Sequence, residues 1–290
     1  MSVTDLTRSV NSQNKEYSLV ASGSGVKIER FGCKVLKRPS AKSIWPIGDI
    51  SKIKIDAEFL PKSGWENYSE KFTEWEVNFE QIKLHLKLQN NGQVGVFPEH
   101  LNYLSNLKNR LAEKISFEEN KRILNLFAYS GAASIYLANS DNCAVTHVDS
   151  SKKALQWAGL NQQLNPKTAN KIRFIAEDAL SFLRKEQKRS AIYDLIIADP
   201  PSFWRDSRGN SIHLKEKIGE LFGLLTSIAK KDRSIIFLTT HDNDLSQQAL
   251  LNIALSANIN EKRLTGGNLL IREENSRRAL PAGVFLLCEM

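Results

Sequence analysis

From Lys121 to the C-terminus, the sequence alternates between segments typical of β-strands and segments typical of α-helices, and this pattern constrains the fold most strongly. Short branched apolar runs such as RILNLF and AVTHVD are followed by amphipathic runs such as AASIYLANS and SKKALQWAGLNQQL. Such alternation indicates βαβ units, in which helices cover a mostly parallel sheet. Ligands of these sheets bind in the crevice at the carboxyl ends of the strands.

The last two predicted strands, GGNLLIREE and AGVFLLCEM, complete a seven-stranded, mostly parallel sheet of the Rossmann-like α/β class over residues 121–290. Residues 17–97 differ, because short β-branched and aromatic runs alternate there with glycine, proline and asparagine. We expect a small β-rich domain in this region, with a hairpin around Asn91-Gly92. Residues 1–16 are interpreted as a flexible leader, and residues 98–120 as a linker helix.

The composition narrows the class of protein. A net charge of +8 favours a polyanionic partner such as RNA, although the basic residues are spread over both halves of the chain. No apolar run is long enough to span a membrane, so we expect a cytoplasmic protein. The cysteines are far apart and lack neighbouring histidines, so neither disulfides nor a metal site are expected: Cys33, Cys143 and Cys288. The sequence leaves monomer and homodimer open.

The turn after the first strand of the alternating region reads NLFAYSGAAS. Small residues there let the backbone approach a ligand, and the next helix offers its N-terminal amides. The turn has a single glycine, Gly131, and is not GxGxxG, which argues against a nicotinamide dehydrogenase.

Acidic residues end the next two strands. Asp149 follows the turn by about 20 residues and could accept both ribose hydroxyls of an adenosine. Asp178, at the end of the third strand, could accept a hydrogen bond from the exocyclic amine of the adenine. Each is equally suited to cap the helix that follows it, so both interpretations stay open.

The fourth strand ends in DLIIADPPSFW, the most distinctive motif. Two consecutive prolines cannot continue a ladder and force a rigid loop, which holds the Asp199 carboxylate and the Pro200 carbonyl toward the crevice. Phe203 and Trp204 then offer rings on which a flat base could stack. The alternative is ordinary hydrophobic packing, which is more plausible for Phe203 than for Trp204.

Together, the segments NLFAYSGAAS, VTHVDSSKKAL, AEDAL and DLIIADPPSF resemble those of class I methyltransferases. More narrowly, residues 93–290, including VGVFPEHLNYL, are similar to the bacterial ribosomal RNA large-subunit methyltransferase family, in a branch without the PUA-type RNA-binding domain. The resemblance implies S-adenosylmethionine as cofactor and a base of ribosomal RNA as acceptor. It also implies the cofactor contacts: Asn125, Phe127, Tyr129, Gly131, Asp149, Ser150, Asp178 and Asp199.

Methylation of cytosine C5 normally needs a cysteine in the loop after the fourth or fifth strand. Those loops read DPPSFWR and FLTTHDNDLS and contain none, which favours direct in-line transfer. The predicted catalytic residues are Asp199, Pro200, Pro201 and Phe203. His241, in the second loop, could act as a base or hydrogen-bond donor, with a surface histidine of no role as the alternative.

Several basic residues could contact phosphate, and for each a solvated surface position is the alternative. They are Arg205, Arg208, Lys215, Lys217, Arg272, Arg277 and Arg278 near the predicted site, and Lys27, Arg30, Lys34, Lys37 and Arg38 in the β-rich domain. Two other functions remain open. One is a methyltransferase of a protein or small molecule, and the other is a non-catalytic RNA-binding factor that retains the fold.

Overall fold

The computed structural model describes residues 16–116, 118–206 and 209–290. The predicted leader, apart from its last residue, and Arg208 lie outside the described residues. Among the residues described, none of the helices combines the length and apolarity that crossing a bilayer requires.

The region before residue 90 is built from β-strands. They are β1 (Tyr17–Gly23), β2 (Val26–Phe31), β3 (Lys34–Pro39), β4 (Ala57–Leu60), β5 (Gly64–Asn67), β6 (Glu74–Phe79) and β7 (Ile82–Lys87). The first five form one sheet in chain order, and β6 pairs with β7 in a separate antiparallel hairpin. Strands β4 and β5 were not predicted from the sequence.

The hairpin predicted around Asn91-Gly92 forms only at its turn, where the Gln89 N–H donates to the Gln93 carbonyl at 3.0 Å and the Lys87 N–H to the Val94 carbonyl at 3.1 Å. The chain does turn there, with the Gly92 N–H donating to the Gln89 carbonyl at 2.9 Å, but residues 94–97 form no strand. The partner of β7 is β6, and the turn between them places Glu80 at a φ of 51°. The alternating hydrophobic pattern identifies β7 as a strand but does not identify its partner. Either neighbouring turn, at Glu80 or at Asn91-Gly92, could have closed a hairpin with it.

The region from residue 98 onward alternates helices and strands as predicted. The helices are α1 (Pro98–Lys114), α2 (Ala132–Ala138), α3 (Lys152–Gln163), α4 (Ala179–Lys188), α5 (Leu214–Ser227) and α6 (Gln247–Ser256). The strands are β8 (Lys121–Leu126), β9 (Cys143–Asp149), β10 (Ile172–Ala176), β11 (Leu195–Ala198), β12 (Phe203–Arg205), β13 (Ser211–His213), β14 (Ile235–Thr240), β15 (Leu264–Arg272) and β16 (Ala279–Glu289).

Seven of these strands form the predicted sheet, in the order β10-β9-β8-β11-β14-β16-β15. The first five are parallel, and β16 runs antiparallel between β14 and β15. Every residue of β11 and β14 is buried, which explains their continuous apolar runs, because helices cover both faces of a parallel sheet. Strands β12 and β13 form a small extra hairpin directly after the Asp-Pro-Pro motif.

The N-terminal strands are fixed to the catalytic sheet by apolar and polar contacts. One apolar cluster runs from Phe31 and Leu84 to Ile123 and Phe237. Helix α3 also contacts β7, where the Trp157 Nε1–H donates to the His85 carbonyl at 2.7 Å and the Asn161 side chain accepts from the His85 N–H at 2.7 Å. The N-terminal sheet therefore has a fixed position relative to the carboxyl ends of the catalytic strands.

Candidate functional site

A cavity of about 790 Å³ lies between the carboxyl ends of the catalytic strands and the N-terminal sheet. This volume is within the usual range of small-molecule sites. The catalytic domain contributes residues that the sequence predicted: Phe127, Tyr129, Asp149, Ser150, Asp199, Pro200 and Pro201. The N-terminal region contributes basic residues: Lys27, Arg38 and Lys42. The site is therefore shared by both regions of the chain.

The turn between β8 and α2 is strained where it borders the cavity. Phe127 and Tyr129 have φ angles of 54° and 49°, which bulky residues rarely adopt. Strain of this kind is concentrated at ligand sites. Gly131, with a φ of 87°, begins α2, and a Cβ there would lie 2.9 Å from the Cβ of Ala158. The glycine therefore serves the close packing of α2 on α3.

Asp149 ends β9 and lines the cavity. One carboxylate oxygen accepts the Tyr129 N–H at 2.8 Å, and the other accepts the Ser151 N–H at 2.8 Å. Burial raises the pKa of Asp149, and these two backbone hydrogen bonds oppose the shift. The cap of α3 is the Ser151 side chain, which accepts the Ala154 N–H at 3.2 Å, so Asp149 is not that cap. Its remaining lone pairs are available to hydroxyl groups.

Asn125 is buried beside the main cavity and lines a smaller one of about 70 Å³. Its side-chain amide donates to Ser134 Oγ at 2.9 Å, and Ser134 Oγ lies 2.9 Å from His147 Nδ1. This polar chain fixes the strand end beneath the strained turn.

Asp178 has a different position from the other predicted cofactor residues. It caps α4 by accepting the Ser181 N–H at 2.9 Å, and its second oxygen accepts the Trp204 Nε1–H at 3.0 Å. It is buried and does not line the main cavity. Its contact with adenine stays a prediction.

The two aromatic residues after the proline pair have opposite environments. Trp204 is buried, donates to Asp178 and packs edge-on against Phe127 with ring centroids 5.3 Å apart. Phe203 is 65% exposed. Packing was considered more plausible for Phe203 than for Trp204, and the structure shows the reverse. Trp204 is packed and lines the main cavity, whereas Phe203 is exposed and does not line it.

Asp199 lies in a cluster with His241, which the sequence offered as a possible base, and with His100, which the sequence did not indicate. Its Oδ1 accepts the Thr239 hydroxyl at 2.6 Å and lies 3.5 Å from His100 Nε2 and 3.7 Å from His241 Nε2. The His241 Nδ1–H donates to the Ala282 carbonyl at 2.7 Å, which leaves Nε2 as an acceptor in the neutral ring. Ligand atoms of Asp199 and the two rings all lie within 4.8 Å of one another, a spacing that could also hold a metal ion. The expectation of no metal stays a prediction.

The electrostatic environment of His241 favours its protonated form. Burial alone would lower the pKa of His241, but the charges of Asp199 and Glu99 outweigh burial and raise it, while Lys42 opposes them. Glu99 is buried, with an oxygen 3.8 Å from His241 Nδ1. Glu99 and His100 belong to VGVFPEHLNYL, so this segment was the available clue to both residues.

None of the three cysteines lines the cavity. Cys33 is exposed in the N-terminal region, and Cys143 and Cys288 are buried in β9 and β16. Burial raises the pKa of Cys288 to about 11, which keeps it a thiol. The site therefore offers no cysteine nucleophile.

The fold is that of a class I methyltransferase of the Rossmann-like type. It is defined by the order of the strands in the sheet, by the antiparallel strand β16 and by the cavity at the carboxyl ends of the parallel strands. Residues 32–226 match the model of the S-adenosylmethionine-dependent methyltransferase family, and the chain belongs to this family. Proteins of this family are described as methyltransferases that depend on S-adenosylmethionine.

Solved and curated relatives agree with this assignment. The SAM-dependent methyltransferase from Agrobacterium tumefaciens is 28% identical, with a TM-score of 0.86 over 94% of this chain and 90% of that one. The ribosomal RNA large subunit methyltransferase K/L of Buchnera aphidicola is 32% identical over 63% of this chain, and that of Shewanella sp. strain ANA-3 is 33% identical over 53%. These matches span 25% and 21% of the two K/L proteins, so the chain corresponds to at most a quarter of their length.

The residues at the cavity fit this donor. Asp149 presents a partly desolvated carboxylate whose oxygens each accept a single backbone N–H, which leaves room for ribose hydroxyls. The strained turn at Phe127 and Tyr129 faces the same cavity. Asp149, Ser150, Phe127 and Tyr129 line this cavity, and their contact with S-adenosylmethionine stays a prediction.

Proposed function

We propose that this enzyme methylates a nitrogen of a base in ribosomal RNA by direct transfer, without a cysteine nucleophile. The observation that carries the proposal is the Asp199-Pro200-Pro201 loop, whose carboxylate borders the cavity beside two imidazole rings. The names of the curated relatives support ribosomal RNA as the acceptor. The absence of a cysteine at the cavity argues against a covalent C5 mechanism.

The chemistry requires alignment more than activation. S-adenosylmethionine supplies a methyl group that is already activated on a sulfonium. The protein has to hold an acceptor nitrogen in line with it and exclude water. The proline pair keeps Asp199 in place, and its carboxylate accepts a hydrogen bond from an amino group of the base. The exposed ring of Phe203 provides a face for stacking the base after it leaves its helix or strand.

His241 and His100 would accept the proton that the acceptor nitrogen releases. An exocyclic amino group must lose one proton on methylation, whereas an unprotonated ring nitrogen loses none. His241 Nε2 lies 3.7 Å from Asp199 Oδ1 and is positioned to receive such a proton. His100 Nε2, 3.3 Å from His241 Nε2, shares it.

Transfer of tritiated methyl groups tests the proposal. Ribosomal RNA, bulk protein and small metabolites from cells lacking the gene are incubated separately with the enzyme and labelled S-adenosylmethionine. We expect label in large-subunit RNA and, after nuclease digestion, in one methylated nucleoside identified by mass spectrometry. Label confined to protein or metabolites would refute the RNA acceptor. Absence of donor binding at millimolar concentration in calorimetry would leave only a non-catalytic RNA-binding role.

A further inference from the structure

The N-terminal sheet places three basic side chains in the wall of the cavity, and we call Lys27, Arg38 and Lys42 the cationic wall. Lys27 and Arg38 are partners across the antiparallel strands β2 and β3. Lys42 follows in the loop after β3. The same cavity is lined by the carboxylates Asp149, Asp199 and Glu99.

The charge of the cationic wall is only partly compensated. Glu29 is completely buried and accepts from Arg38 Nε at 3.0 Å and from Lys27 Nζ at 3.2 Å. Glu29 thus serves two cations, and the buried Glu99 is a second carboxylate whose charge acts on Lys27. Lys42 adds a third positive charge, for which no ion pair is found among the described residues. With three cations set against Glu29 and Glu99, the wall keeps a net positive charge beside the cavity.

The pKa values of the wall are consistent with this imbalance. Burial by itself raises the pKa of Glu29, yet Arg38 and Lys27 lower it to about 2. The pKa of Lys27 is lowered by burial and by the charge of Arg38. An incoming anion would relieve the repulsion between these two cations.

Within the wall, Arg38 is held rigidly. Arg38 is 5% exposed, and its Nη1 donates to the Gly92 carbonyl at 3.1 Å while Glu29 holds the rest of the guanidinium. The guanidinium lies over the Phe31 ring, 5.4 Å from its centroid. A solvated surface lysine loses conformational entropy when it binds a ligand. The Arg38 side chain is already ordered in the folded protein, so it loses little more on binding.

We propose that the cationic wall binds a phosphate of the RNA strand that carries the acceptor base. This inference rests on the proposed function and deepens it. The carboxylates of Asp149 and Asp199 repel a phosphate, so the strand backbone lies against the N-terminal sheet while the base points to Asp199. The N-terminal β-rich region is then part of the RNA site.

The experiment compares RNA binding and donor binding in the same variants. Binding of a short single-stranded fragment of large-subunit ribosomal RNA is measured by fluorescence anisotropy over a series of salt concentrations. In Lys27→Met and Lys42→Met, we expect weaker binding and a salt slope lower by about 0.7–1 for each lost phosphate contact. Lys83→Met is the matched control: Lys83 is a strand lysine paired with Glu76 and does not line the cavity. Its salt slope should equal that of the wild type.

Calorimetry with S-adenosylmethionine separates the possible outcomes. A lower salt slope together with unchanged donor affinity in Lys27→Met and Lys42→Met supports the phosphate site. Weaker donor binding with an unchanged RNA slope would assign the wall to the donor carboxylate and overturn the inference. A wild-type slope in both variants would also overturn it, while leaving the proposed function intact. Failure of the wild type to bind or methylate RNA would instead overturn the proposed function, and this inference with it. Lys42 lies in a loop, so Lys42→Met keeps the test decisive if Lys27→Met unfolds.

Discussion

The Nε2 atoms of His100 and His241 lie 3.3 Å apart, although 141 residues separate the two histidines in the chain. Helix α1 contributes His100, and the loop after β14 contributes His241. Both rings are directed to Oδ1 of Asp199. The cluster thus connects the N-terminal end of α1 with the loop after the fourth catalytic strand.

The contact of His241 with Asp199 predicts how methyl transfer depends on pH. His241 accepts a proton only when neutral, so kcat/KM should rise with pH through its pKa, which Asp199 and Glu99 raise against the effect of burial. Glu99→Gln removes one of these charges and should move the inflection to lower pH. The profile is measured with EDTA present, so that bound metal does not contribute. A flat profile in both proteins would contradict proton acceptance by His241 and indicate a ring nitrogen as acceptor.

Asp199→Asn should reduce kcat by about 10²–10³ because the neutral amide oxygen is a weaker acceptor and lacks the negative charge that stabilises positive charge developing on the base. Donor affinity should change far less than kcat. Single-turnover methyl transfer and calorimetry measure the two quantities on the same preparation. Thr239→Val is the companion variant: it removes the 2.6 Å hydrogen bond to Asp199 while keeping the charge. It should lose less activity than Asp199→Asn, and equal losses would argue against a direct role for the carboxylate.

Asp149→Asn should weaken binding of S-adenosylmethionine by about 10- to 100-fold, since hydrogen bonds to a charged acceptor contribute about 1.5–3 kcal/mol. Calorimetry measures the change. Asp141→Asn is the control, because Asp141 lies before β9 and its side chain is 77% exposed. Equal donor affinity in the two variants would show that Asp149 does not hold the donor.

Much of the fold could be predicted from the sequence because its strands and helices differ in hydrophobic period. Each strand from β8 to β11, and β14 to β16, overlaps a predicted segment, and all helices from α1 to α6 do so too. The pairing of β7 with β6 was missed, because pairing depends on which turn closes and not on the period of one strand. The short β4, β5, β12 and β13 have too few residues to show a clear period.

The candidate site was only partly predictable. Asp149 and Asp199 end strands, and topology places strand ends together, so sequence reasoning could bring them to one crevice. His100 reaches Asp199 from α1, and Lys42 reaches the cavity from the N-terminal loop. No local pattern specifies that packing. Trp204 was expected to be more available than Phe203 because its loop is polar, but burial was decided by its contacts with Phe127 and Asp178.

Gly131→Ala and Gly159→Ala should change stability in opposite directions. A Cβ at Gly131 would meet the Cβ of Ala158 at 2.9 Å in a backbone with a φ of 87°, so we expect a loss of about 1–3 kcal/mol. Gly159 lies within α3, where a Cβ has nothing within 4 Å, and alanine should add about 0.5–1 kcal/mol there. Urea denaturation measures both changes. A neutral Gly131→Ala would show that α2 and α3 can separate without cost.

His147 should make the protein less stable in mild acid. Its ring is buried in β9, and burial lowers its pKa to about 3, so the folded state keeps it neutral while the unfolded chain takes up a proton below the ordinary pKa of about 6.5. Because the unfolded state then binds more protons, the free energy of unfolding falls as pH falls between these two values, by about 1.4 kcal/mol per pH unit. His147→Asn lacks this term, so from pH 6 to pH 5 the wild type should lose about 1 kcal/mol more than the variant in urea titrations. His213→Asn, at an exposed position, should follow the wild type. Parallel pH curves for the wild type and His147→Asn would mean that the ring can be protonated within the folded protein, and the chain from Asn125 through Ser134 would then have to accommodate a charge beneath the donor site.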